Sequence, residues 1–183
     1  QVGQGPRRQQ ARDQTIQMQR AMSVSPLPEE PATDFTSNLP IVVLHTAGQH
    51  ISKDAQAVVR AEFFDTKDHR VSGNIKADYD GSVAIHLRGT ATLNLPKRSY
   101  TFHTVDNKSN QIKVSLLGLP QEEDWVLYAP FEDKTLIRDV LAFELARKMG
   151  HYAPRTRYVE LFINTSDRPL SMRDYAGVYV LME

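Results

Sequence analysis

Two short runs with a period of two residues fix most of what this chain can become. In VAIHLRG, Val83, Ile85 and Leu87 share one face and His86 and Arg88 the other. SYTFHTV returns with Tyr100 and Phe102 on its apolar side. Alternation of this kind belongs to half-buried strands, not helices. Between the two runs lies RGTATLNLPKRSY, residues 88–100, which gathers Arg88, Lys97 and Arg98 around one glycine and one proline. Gly89 admits backbone conformations closed to other residues, while Pro96 fixes its own φ and holds Leu95 extended. A loop with cations at both ends is shaped to hold an anion such as a phosphate. It can equally be a connector whose charges face water.

The rest of the chain reads mainly as strands. Residues 1–38 carry seven Gln before position 20, then Pro26, Pro28 and Pro31, with few large apolar residues. Such a segment buries too little to offset its ordering entropy and reads as a mobile leader or linker, with at most a marginal helix over 9–22. Order is expected from Leu39. IVVLHT, residues 41–46, is apolar on both faces and suits a strand buried on both sides. Residues 58–64 alternate, 78–82 (DYDGS) carry turn chemistry, 106–110 form another turn, and short strands follow at 112–115 and 125–128. Asp133 is placed to cap a helix over 134–149, with Gly150 as its stop and Pro154 beyond. Residues 155–164 and 175–183 then read as a hairpin with a long polar loop. The expected architecture is α+β, a mostly antiparallel sheet with one main packed helix.

That helix holds one anomaly. Leu136, Ile137, Val140, Leu141 and Leu145 form an apolar stripe, and Glu144 falls inside it. A carboxylate facing a core needs a cation or a proton. Glu144 has two outlets: it swings out to Lys148, four residues on, or it meets Lys97 or Arg88 from the loop.

Composition narrows the functional classes. The 183 residues suffice for one domain with a real core. Lys+Arg and Asp+Glu each total 22, so no basic excess points to nucleic acid, and any basic site must be local. Without cysteine there are no disulfides or thiolate metal sites. No apolar run approaches the ~20 residues of a membrane span. His45, His50, His69, His86, His103 and His151 show no metal-ligand spacing. There is no nucleophile elbow, Walker loop or GxGxxG. The chain opens on Gln1 and closes on an apolar strand-like run, VYVLME, which reads as a piece cut from a longer domain.

Four blocks together, RGTATLNLPKRSY, LLGLPQEEDWVLYAPFEDKTLIRDVLAFELARKMG, APRTRYVELFIN and GVYVLME, resemble the N-terminal half of the CotH family of spore coat proteins over residues 39–183. The resemblance implies an atypical protein kinase: the N-terminal lobe of a divergent kinase-like fold that binds ATP with Mg²⁺ or Mn²⁺ and phosphorylates serines on coat or surface proteins. Extracytoplasmic, cell-surface or spore-coat placement goes with it. Phosphoryl transfer is mostly positioning and charge neutralisation, so the cofactor-binding candidates are Lys97 and Arg88, with Glu144 orienting the lysine and Arg138 near the helix start. No metal ligand is assigned here. In the family the catalytic and metal-binding aspartates lie beyond the LME strand, so catalytic residues are expected past Glu183 and the piece alone should not transfer phosphate. Two features depart from the family pattern: Thr90, Ala91 and Thr92 stand where Asn and Ser usually follow the RG pair, and the 165–174 loop is enlarged. The alternative class is a non-catalytic surface or coat protein, an adhesin or scaffold, that keeps the fold as a binding module.

Overall fold

A computed structural model describes residues 35–65, 76–166 and 168–183. Its strands are β1 (Ile41–His45), β2 (Ala57–Phe64), β3 (Tyr79–Arg88), β4 (Ser99–Val105), β5 (Val114–Ser115), β6 (Gln121–Glu122), β7 (Asp124–Tyr128), β8 (Thr156–Asn164) and β9 (Tyr175–Met182). One α-helix, α1 (Arg138–Lys148), joins β7 to β8. Seven strands close into a barrel in the order β1-β2-β3-β4-β7-β9-β8, with β5 and β6 a separate pair. Every neighbouring pair in the barrel is antiparallel except β1 and β8, whose parallel pairing, Ile41 opposite Glu160 through His45 opposite Asn164, closes it.

The barrel follows from where the apolar residues fall. Phe63, Ile85, Phe102, Trp125, Leu127, Leu161 and Tyr179 point inward and are at most 2% exposed. A barrel of this strand number leaves an interior just wide enough for side chains to fill. Each such side chain contributes roughly 1.5–3 kcal/mol on burial. The two-sided apolar character of β1 is explained by a second, smaller core. Val42 and Leu44 face the interior, while Ile41 and Val43 pack outside with Phe64 and Phe162 under Phe35, Leu170, Met172 and Tyr175.

The expected α+β arrangement is overturned. The protein is mostly β, a closed barrel with a single α-helix of 11 residues among those described. No residue of α1 is buried, and Leu141 and Leu145 are each 51% exposed. The physical reason is at the helix start. Leu136 adopts a left-handed backbone, φ 62°, and its carbonyl accepts the Tyr158 hydroxyl at 2.7 Å, so residues 134–137 form a turn and α1 begins at Arg138. The cap position is therefore Ile137, which has no side-chain cap, and not Asp133; Asp133 lies before the turn, accepting the Arg138 N–H at 2.9 Å and the Thr135 N–H at 3.0 Å. The apolar stripe of Ile137, Leu141 and Leu145 therefore faces away from the barrel.

The expected turn at 78–82 is also corrected, since β3 already runs from Tyr79. Gly81 pairs with Ala61, and the Tyr79 side chain folds over the glycine, its hydroxyl donating to the Ser82 carbonyl at 3.2 Å. An aromatic ring shields the glycine and keeps the strand intact. The 1–38 leader lies outside the described residues except for 35–38. There Phe35 stacks edge-on to Phe162 at 5.1 Å, and the Ser37 hydroxyl donates to Glu160 at 2.9 Å.

Strand directions gather the loops. β1, β3, β7 and β8 all finish at one end of the barrel, where β2, β4 and β9 start. The loops 46–56, 89–98 and 165–174 therefore share that end with the chain leaving β7.

Candidate functional site

The loop 89–98 lies across this end. Gly89 turns the chain at φ +105°, and a Cβ there would fall 2.2 Å from the Thr92 hydroxyl oxygen. A 3₁₀ turn over Ala91–Asn94 follows, and Leu93 packs onto the barrel core. Pro96 then delivers Lys97 towards the inward face of β9.

Lys97 is half-buried and reaches past β7 to three consecutive residues of β9. Its ammonium donates to the Val178 carbonyl and sits over the Tyr179 ring, 4.6 Å from the centroid. It also lies against Gly177, at 3.4 Å from where a Cβ would stand. Among the described residues no carboxylate comes within ion-pairing distance of it; Glu160 acts only through its field. Desolvation accordingly pulls the Lys97 amine below its ordinary range, with the Glu160 charge pulling the other way. A half-dry cation without a counter-charge is suited to an incoming anion.

The other sequence candidates are placed apart from it. Arg88 is exposed at the end of β3 and donates to the Thr101 hydroxyl at 3.4 Å. Arg138 is exposed at the start of α1, 3.5 Å from Asp133. Glu144 gives its carboxylate to Arg147 and, at 3.8 Å, to Lys148, and these cations hold it below the usual carboxylate range. Of its two outlets Glu144 takes the one within its own helix, and the structure does not bring Lys97 and Glu144 together. Trp125 is core, its indole N–H donating to the Glu122 carbonyl at 3.1 Å.

The sequence reading missed Gly177, Val178 and Tyr179. The one available signal was the glycine in AGVYV, since a glycine inside a strand marks close approach by another group.

In a second groove the cations are matched. A groove of 540 Å³ between β1, β2 and the 165–174 loop is lined by His45, Arg60 and Arg168. Arg60 pairs with Asp80 at 2.7 Å and with Glu62 at 2.8 Å, His45 with Glu62 at 2.6 Å, and Arg168 with Asp174 at 2.8 Å. His86 and His103 share the outer face of β3 and β4, and His103 meets Asp124 at 2.5 Å. Among the described residues no three His, Asp or Glu side chains are grouped as metal ligands, and no helix is long and apolar enough to cross a membrane.

These features define a small closed β-barrel domain with an unmatched lysine at one mouth. A family model described as CotH kinase protein matches residues 85–183, which include Arg88, Lys97, Arg138 and Glu144. That is more than half of the chain, and the chain belongs to the CotH kinase protein family. β1 and β2, outside the matched span, complete the same barrel. No curated protein matches the chain.

Proposed function

We propose that the protein carrying this chain is an ATP-dependent kinase of the CotH type, acting on serines of coat or surface proteins outside the cytoplasm, and that this barrel end receives the nucleotide phosphates. One observation carries the reading. Lys97 is a half-buried ammonium with no carboxylate at ion-pairing distance among the described residues, and a phosphate would supply the missing charge. Its two N–H groups not directed at Val178 remain for phosphate oxygens. Arg88 and Arg138 are the further cations of the set, and Glu144 joins it only if it leaves Arg147 and Lys148. A divalent ion, Mg²⁺ or Mn²⁺, arriving with the nucleotide would supply charge neutralisation of the phosphates, and none of the described residues is assigned to hold it.

The test is transfer of labelled phosphate from ATP to a serine-containing coat or surface protein, with Mg²⁺ or Mn²⁺, by the protein that carries this chain. Metal-dependent transfer supports the kinase; its absence with every metal and acceptor sinks it. A second reading, a non-catalytic adhesin or scaffold, draws on the exposed apolar row Ile137, Leu141, Leu145 and Met149 on α1 and just past it. That reading predicts no transfer under the same conditions.

A further inference from the structure

Lys97 is held without being neutralised. An ion-paired lysine offers little net charge to a ligand, because the partner carboxylate cancels it at short range. Here the ammonium rests on a carbonyl dipole and a ring face, which fix its place and leave its unit charge outstanding. We propose that Gly177 and Tyr179 are positioning residues that set the Lys97 ammonium at the barrel mouth for phosphate, a role resting on the ATP reading above.

Each part of the cradle does a separate job. Gly177 has φ +101°, and a Cβ there would stand 3.4 Å from the Lys97 Nζ and 3.6 Å from its Cε. A Cβ would make only ordinary contact with the lysine, but any side chain would strain the backbone at this φ, and relief of that strain would move the cradle from under the amine. Tyr179 is 2% exposed and packed 6.2 Å from Tyr100, so its ring is a fixed platform. Burial raises the Tyr179 hydroxyl well above its ordinary range, so the platform stays uncharged and adds no anion beside the lysine. Val178 supplies a main-chain acceptor that no substitution removes.

The test uses the whole protein and three substitutions: Tyr179→Phe, Tyr179→Leu and Gly177→Ala. Two quantities are read, the ring-current shift of the Lys97 ε-methylene protons by NMR and the Mg-ATP affinity by calorimetry; thermal melts confirm folding. Tyr179→Phe keeps the aromatic face and should preserve both within twofold. Tyr179→Leu should abolish the ring-current shift and weaken ATP roughly tenfold, and Gly177→Ala should reduce the shift and weaken ATP to a similar degree. Lys97→Ala separates the two levels of the account. If it weakens ATP while Tyr179→Leu and Gly177→Ala do not, the positioning role is overturned and the ATP reading stands. If Lys97→Ala leaves ATP affinity unchanged, the ATP reading fails and the positioning role with it.

Discussion

Phe102 on β4 and Trp125 on β7 stack inside the barrel with ring centres 6.5 Å apart and planes 16° from parallel. They are opposite one another in the strand register, and neither is more than 1% exposed. Trp125→Ala should therefore cost about 3–5 kcal/mol by cavity formation. Leu141→Ala, on the outward face of α1, should change stability by no more than about 0.5 kcal/mol. Urea unfolding of the two variants checks the pair. A large loss at Leu141 would mean that the helix face is packed after all.

Gly89 and Gly150 both have positive φ, +105° and +84°. A Cβ at Gly150 meets nothing within 4 Å, so Gly150→Ala should carry only backbone strain, about 1 kcal/mol. Gly89→Ala adds the collision with Thr92 and should cost roughly 2–3 kcal/mol. Combining it with Thr92→Ala should recover the difference, as a double-mutant cycle in denaturant would show.

The Asp174 carboxylate is 3% exposed and accepts both guanidinium nitrogens of Arg168, at 2.8 and 3.1 Å, and the Ser171 N–H at 2.9 Å. Asp174→Ala leaves these donors without their acceptor. A loss of roughly 2–3 kcal/mol is expected, together with faster amide exchange through residues 168–174.

The Lys97 amine lies below its ordinary value of 10.5 in the folded protein, chiefly through desolvation. The unfolded chain therefore binds that proton more tightly. Stability should rise with pH from the folded value up to 10.5, the cost of the buried charge being fully present below that window. Lys97→Met should flatten this rise in urea midpoints measured between pH 7 and 10. Above pH 10 the tyrosines oppose it. Tyr128 is pushed up to about 12 by burial and Asp139, and Tyr175 and Tyr179 go higher, so stability they hold below pH 10 is lost as pH climbs further.

The strands were legible because period-two alternation is a local property: residues 58–64 and 83–88 fall inside β2 and β3, and Gly150 does end the helix, with φ +84°. Barrel closure was not, because the parallel pairing of β1 with β8 joins residues more than a hundred apart and no local pattern encodes it. The apolar character of both faces of β1 reported the second, smaller core outside the barrel and not the closure. The helix misled because an apolar stripe reports amphipathicity and not which way it faces; one left-handed residue, Leu136, turned it outward. Lys97 was singled out from loop chemistry. Its partner was not, since a carbonyl and a ring face carry no charge pattern to read.

The central claim is that Lys97 is the phosphate-facing cation of this barrel. Mg-ATP affinity of the protein with Lys97→Ala, against the wild type, tests it most directly. Loss of a charged hydrogen-bond donor should weaken binding roughly ten- to hundredfold without lowering the melting temperature. Affinity within twofold of the wild type would contradict the account.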